Sequence, residues 1–477
     1  MLHQENSVKD NKRIPATDVT PRDSDAVEIS LYAAREKIHP KSIHGRFERV
    51  REVTVWITMG LYLVVPWIQW QGRQAVWFDL PGRQFHIFGI TFWPQDFVLL
   101  SWLLILAAFA LFFFTVLAGR VWCGYVCPQT TWTRFFTKIE DWIEGDRSAR
   151  LKLDAAPWTL NKLRKRVSKH TSWLLLALLT GITFVGYFTP ITDLIYRLFQ
   201  IQLGGWEMFW IGFFTVATYT NAGWMREQVC IYMCPYARFQ SVMFDHDTLI
   251  VSYDEKRGEP RTRGAKSRDE ANVGDCIDCG LCVQVCPTGI DIRDGLQYEC
   301  ITCAACIDAC DLVMEKVGKP RGLIRYTTEN ALAGLKSHIL RPRMIGYGFV
   351  LMLMSALFVA ALFLRVPAEL DVIRDRTNLY RVASDGSIEN SYRLEVINKT
   401  QRDQTFRLSF RGAEGLVWNG PETVFIPAGS HATVGVTLGF NPFYHTVETG
   451  TVWFVMEDMD EQGIRRERES RFIAGRP

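Results

Sequence analysis

Apolar residues gather in five blocks between residues 53 and 364, each close to the roughly 20 residues that a helix needs to cross a bilayer. They run from Val53 to Trp70, Phe97 to Ala118, Trp173 to Phe188, Trp206 to Met225 and Met344 to Leu364. The third block is short, and the fourth carries Glu207 with several Gly and Thr, yet both are flanked by Trp and Tyr of the interfacial kind. The pattern predicts a helical membrane domain of about five spans. Burial inside a large soluble core is the competing reading.

After Arg365 the period becomes that of strands. Tyr392, Leu394 and Val396, then Phe406, Leu408 and Phe410, then Val434, Val436 and Leu438 alternate with polar neighbours. Turn signals at Asp385-Gly386, Pro427-Ala428-Gly429 and Asn441-Pro442 separate them. This predicts an all-β immunoglobulin-like sandwich over 365–477, with a barrel as the alternative. Residues 1–52 are polar, carry charges of both signs and lack the apolar core of a secretory signal, so they read as a cytoplasmic arm.

Loop charge orients the spans. Residues 71–96 hold only Arg73 and Arg83, whereas 119–172 hold eleven Lys or Arg. Basic loops stay in the cytoplasm, so the amino terminus and the 119–172 loop are expected inside and the carboxyl terminus outside. A 48% hydrophobic composition with 16 Trp agrees with a membrane protein, and a net charge of +3 offers no case for a nucleic-acid partner.

The cysteines carry the candidate chemistry. Eight of twelve lie in two runs, Cys276-x2-Cys279-x2-Cys282-x3-Cys286-Pro287 and Cys300-x2-Cys303-x2-Cys306-x3-Cys310. Three thiolates at every third position suit a cubane iron–sulfur cluster, and in two-cluster ferredoxins the fourth Cys of each run serves the other cluster. One [4Fe-4S] cluster is therefore expected on Cys276, Cys279, Cys282 and Cys310, the other on Cys300, Cys303, Cys306 and Cys286. Zinc knuckles or disulfides are the plainer alternatives, but neither needs a third Cys at the same step. Asp311 follows Cys310 where the ferredoxin pattern has Pro. The 13 residues between the runs leave room for a short hairpin. A ferredoxin-like domain over 236–343 results, inserted between a four-helix segment, 53–235, and the fifth span, 344–364.

The other four form two Cys-x3-Cys-Pro motifs, Cys123 with Cys127 and Cys230 with Cys234, each just past an apolar block. At i and i+4 on a helix both sulfurs share a face, and the following Pro ends or kinks that helix. Arg120 and Arg226 precede the pairs and read as markers of the headgroup level. If the two pairs converge, four soft ligands would favour copper(I), zinc or another iron centre; isolated, they are inert buried thiols. His86 and His445 read as structural residues, and Glu207 as a side chain reaching for the membrane interface.

Together these residues resemble the FixG/CcoG/RdxA family of membrane-bound cytochrome oxidase accessory proteins. The resemblance is carried by Lys37 to Lys41 (KIHPK), Gly45-Arg46-Phe47, Phe85 to Asp96 (FHIFGITFWPQD), Trp122 to Trp132 (WCGYVCPQTTW) and Cys286 to Arg293 (CPTGIDIR). It implies a multi-pass protein of the bacterial inner membrane with its cluster domain in the cytoplasm and its β domain in the periplasm. It further implies a role in assembly of the cbb3-type oxidase, as a cupric reductase whose product goes to copper-delivery proteins and assembly factors. Cys123, Cys127, Cys230 and Cys234 would then be the catalytic, copper-holding residues. The electron donor stays unnamed, because no Gly-rich dinucleotide fingerprint follows a strand. A quinol dehydrogenase-type membrane ferredoxin and a non-enzymatic scaffold or copper chaperone are the competing functions.

Overall fold

The apolar blocks become helices; the second keeps its limits, Phe97–Ala118, and the others shift for local reasons. In the computed structural model, which describes residues 37–262, 273–459 and 463–475, the first helix, α1 (Arg46–Val64), starts ahead of Val53 and stops short of Trp70. Pro66 lies in a 3-10 turn just beyond it, and Gln69–Trp70 pairs with Arg73–Gln74 as a small hairpin. Proline cannot donate the next helical hydrogen bond, so the chain turns there. The expected arm lies outside the described residues as far as residue 36.

Past the 3-10 turn Pro94–Asp96 comes α2 (Phe97–Ala118), then α3 (Val121–Tyr125), α4 (Pro128–Glu144), α5 (Arg147–Ala155), α6 (Leu160–Val185), α7 (Ile191–Phe199) and α8 (Gly205–Thr218). Two π-helical stretches, Tyr219–Met225 and Val229–Met233, lead to α9 (Pro235–Met243). The Cys motifs therefore do not lie along one helix. Cys127 and Cys234 are the N-caps of α4 and α9, each followed by Pro at the first helical position, where its missing N–H costs nothing.

Buried charge ties this bundle together. Glu140 of α4 accepts from Arg150 at 3.2 Å and Arg226 at 2.9 Å and pairs with Lys169 at 3.4 Å; Glu144 pairs with Lys169 and Arg166, each at 3.0 Å. Removing one member would strand its partners in a low-dielectric interior.

The cysteine domain enters on Ile250–Tyr253 and leaves on Ile324–Thr327, which pair antiparallel. Between them, among the described residues, the α-helices are α10 (Glu255–Gly258), α11 (Leu281–Gln284) and α12 (Ala305–Lys316). No hairpin joins the two runs. A single 3-10 turn, Ile292–Asp294, does so, held where Arg293 bonds Asp291 and Asp278. Beyond α13 (Glu329–Leu332), α14 (Pro342–Phe363) packs beside α2. Pro94–Ala118 and Pro342–Phe363 are long and apolar enough to cross a membrane.

The sandwich has two antiparallel sheets. One orders its strands Val417–Asn419, His431–Phe440, Ile388–Asn398, Ala368–Arg374, with Arg381–Val382 added beside Ile388–Asn398. The other orders them Thr423–Ile426, Gln404–Arg411, Gly450–Asp458, Arg465–Phe472. Leu394 stands between Val434 and Val372, and Leu408 faces Met456, so the alternating residues form the core. At the helix-facing end, Asp96 binds Arg365 and Lys399, and Trp93 meets the ring of His431 at 5.3 Å.

Candidate metal centres

Both cysteine runs fold the same way. In the first, Asp278 and Gly280 flank Cys279 with φ of 49° and 63°; in the second, Thr302 and Ala304 flank Cys303 with φ of 55° and 60°. A left-handed residue on each side of the middle Cys reverses the chain twice, and α11 and α12 begin directly after Gly280 and Ala304. Such changes of hand make concavities of backbone N–H groups that suit an anionic cluster. Glycine takes this conformation freely; Thr302 and Ala304 hold it at a cost of about 1–3 kcal/mol each, the kind of strain that collects at functional sites.

Two cavities lie under the runs. One is lined by Cys276, Cys279, Cys282 and Cys310, the other by Cys286, Cys300, Cys303 and Cys306. Cys282 also reaches the second. Burial pushes the thiols of Cys282 up to about 11 and of Cys300 and Cys310 to about 12. Packed thiols of this sort become thiolates only beside a cation, so the donor set fits a metal cluster. Among the described residues no three His, Cys, Asp or Glu converge on a single-ion site. A cubane spreads its four thiolates over four irons and asks for a wider arrangement. Asp311, in place of the expected Pro, lets α12 continue to Lys316 and accepts from Gly322 N at 2.9 Å.

The two Cys-x3-Cys-Pro motifs approach each other, but no three of their thiols converge on a single-ion site. Gln240 of α9, fully buried, contacts Cys123 Sγ at 3.7 Å, and Cys230 lies close enough to feel Cys127, Cys123 and Cys234. Burial first and then those thiolates push Cys230 up to about 12, while Arg120 opposes them. The first motif also rests on the second cysteine run. A Cβ added to Gly124 would stand 2.7 Å from Ile301 O and 2.9 Å from Cys303 Cα, so only glycine permits this approach. Tyr125 OH lies 3.3 Å from Tyr326 OH, which donates to Thr302 O at 2.7 Å.

Comparison with known proteins gives this arrangement relatives. A 4Fe-4S dicluster domain matches residues 225–329, a 4Fe-4S binding domain matches 99–150, and the Ig-like fold at the C-terminus of FixG matches 358–475. The nitrogen fixation protein FixG of Rhizobium meliloti is 40% identical, with 93% of this chain and 90% of that protein aligned. The chain belongs to the FixG family. RdxB and RdxA of Cereibacter sphaeroides are 43% and 42% identical over 87% and 86% of this chain, covering 91% and 90% of their own lengths.

Several residues of this FixG-family chain stand where sequence reasoning did not put them. Arg120 and Arg226, read as markers of the headgroup level, are buried inside the protein, Arg120 donating to Tyr298 O and Arg226 to Glu140. Arg51, buried on α1, pairs with Glu48 at 3.5 Å. Nothing local in a sequence separates a buried arginine from a surface one. Asp308 of α12, unremarked in the sequence, accepts the first amides of α1, at 3.2 Å from Phe47 N and 2.7 Å from Glu48 N. A Cβ on Gly45 would meet Asp308 Cγ at 2.1 Å, which accounts for the glycine before Arg46. His86 is the structural residue it was expected to be: it is buried, its Nδ1 3.0 Å from Thr91 Oγ1, and burial draws it down to about 4. Exposed His445 lies in the turn after Asn441. Glu207, expected to reach for the interface, is bound by Arg197 at 2.7 and 2.9 Å.

Proposed function

We propose that this protein draws electrons singly from a cytoplasmic donor protein and delivers them to copper(II) at Cys123, Cys127, Cys230 and Cys234. The copper(I) formed would pass to copper-delivery proteins and assembly factors of a cbb3-type oxidase. Bound by Cys276, Cys279, Cys282 and Cys310 and by Cys300, Cys303, Cys306 and Cys286, two [4Fe-4S] clusters supply one-electron transfer. One electron per copper(II) balances the reaction, with no proton required.

The contact of Gly124 with the Cys303 loop carries this reading. It sets Cys123 against the second run and leaves the first run outward, where Cys279 is exposed. Soft thiolates prefer copper(I) to copper(II), so the four cysteines would favour the product. A multi-pass arrangement is supported by the bare apolar faces of α1, α6 and α8, where Trp56, Leu61, Leu175, Phe209 and Val216 are exposed, and the basic 119–172 loop favours the cluster domain inside and the sandwich outside. In water such surface would be costly; in lipid it is ordinary.

The 4Fe-4S binding domain matched over 99–150 contains just Cys123 and Cys127. This favours a second reading, in which those two with Cys230 and Cys234 hold a third cluster. Iron analysis of protein purified without oxygen separates the readings at about eight or about twelve irons per chain. A copper(II) reduction assay on the same sample tests the activity, and absence of reduction by fully reduced protein would end the proposal. Cys286→Ser should damage mainly the cluster of Cys300, Cys303 and Cys306, and spectroscopic loss confined to the other cluster would reverse the ligand assignment.

A further inference from the structure

Three guanidinium groups from distant segments converge on the inner cysteine run. Arg51 comes from α1, Arg120 from the turn after α2 and Arg134 from α4, and each keeps a buried Nε–H without a hydrogen-bond partner. Arg51 and Arg134 line a cavity walled on its other side by Thr288, Ile301 and Ala305. Those three residues also wall the cavity of Cys286, Cys300, Cys303 and Cys306, so one layer of side chains separates the two. Arg120 donates to Tyr298 O, two residues before Cys300.

The opposing carboxylates are fewer. Glu48 is shared between Arg51 and Arg134, and Asp308 is held by the amides of α1. The lining of the cavity that Arg51 and Arg134 share carries four cations, Lys41, Arg51, Arg134 and Arg226, against two carboxylates, Glu48 and Glu227. Around the outer run the balance reverses. Arg293, which lines the cavity of Cys276, Cys279, Cys282 and Cys310, is held at 2.6 Å by both Asp278 and Asp291. Asp275 takes Arg257 and Lys319, and Asp311 directly follows Cys310. Here three cations face four carboxylates.

We propose that Arg51, Arg120 and Arg134 set the reduction potential of the inner centre, making it easier to reduce than its burial alone would allow. The inference rests on the two-cluster reading above. Taking up an electron adds negative charge, which a buried, low-dielectric site resists and nearby fixed cations favour. The three arginines offset that resistance on the side facing Cys123. One electron leaves the outer centre, which is oxidised, and enters the inner, which is reduced, with no bond made or broken. The charge asymmetry thus directs electrons towards the membrane cysteines.

The test is an anaerobic redox titration of the full chain in detergent, following both cluster signals by EPR. Cys279→Ser, which alters an outer ligand, identifies the outer signal. Arg51→Gln and Arg120→Gln should each lower the inner midpoint by about 59 mV, a tenfold change for one electron, and leave the outer midpoint unmoved. Arg51→Lys, which keeps the charge, should restore most of the shift. Arg293→Gln should lower only the outer midpoint. Equal shifts of both signals, no shift, or a Lys variant that behaves like the Gln variant would overturn the proposal. Should Arg51→Gln fail to assemble, Arg120→Gln decides alone, since it sits on a different segment. A wild-type protein with one cluster signal would instead refute the two-cluster reading.

Discussion

The sandwich buries Leu370, Leu394, Phe406, Phe454, Met456 and Phe472 between two sheets, with each inward residue supplied by strict alternation along a strand. Among its described residues the domain between Ile250 and Thr327 has one two-stranded sheet, helices of four and twelve residues, and a core in which Cys276, Cys282, Cys300, Cys306 and Cys310 stand among Ile292, Ile307 and Leu323. The first region closes by apolar area, at about 1.5–3 kcal/mol per large side chain buried. The second leaves its centre to whatever its thiolates bind. A small domain of this kind depends on its metal for folding free energy, and the sandwich does not.

Iron removal should give the largest contrast. Anaerobic chelation is expected to abolish ordered structure between residues 273 and 327, detected as rapid proteolysis there, while the sandwich still unfolds cooperatively at its original Tm. Protection of the cysteine domain after iron loss would break the comparison. Next in size is the loss of copper chemistry. Replacing Cys123 and Cys127 together, or Cys230 and Cys234 together, with Ser should bring copper(II) reduction to the background rate and abolish copper binding, with both [4Fe-4S] signals intact. Reduction at the wild-type rate would make these four residues structural.

In the sandwich, Phe406→Ala should cost about 3–5 kcal/mol by opening a cavity at a fully buried site. Calorimetry would show this as a lower Tm for one transition, with cluster spectra unchanged. Coupled loss of both regions would show that they fold as one. The smallest effect is expected from Gly124→Ala. A methyl group 2.7 Å from Ile301 O forces the motif off the Cys303 loop at about 1–3 kcal/mol. Copper(II) reduction should slow while copper binding and iron content stay, which rapid-mixing absorbance would register.

Legibility in the sequence followed locality. The alternation at Tyr392, Leu394 and Val396 placed all three in the sandwich core, because a strand sends every second side chain to the same face. The Asn398-Lys399-Thr400 triplet shows the limit of such patterns: it matches a glycosylation acceptor, yet Asn398 is buried and donates to Arg402 O at 2.7 Å. The spacing of the cysteine runs pointed to their chemistry, since a Cys at every third position serves a cubane whatever surrounds it. The limit of the first span was less legible, because hydropathy averages over a window while Pro66 acts at one position.

By itself, the sequence determined what depends on neighbours along the chain: the apolar helices, the alternating strands, the cysteine spacing and the prolines that open α4 and α9. The tertiary structure decided what depends on distance in space. It set Gln240 against Cys123 and Gly124 against Cys303, and it turned Arg51, Arg120 and Arg226 inward. A guanidinium has the same sequence signature at a headgroup and in an interior. Its worth to a buried centre depends on separation, dielectric and the nearest carboxylate, and those quantities exist only once distant segments have packed together.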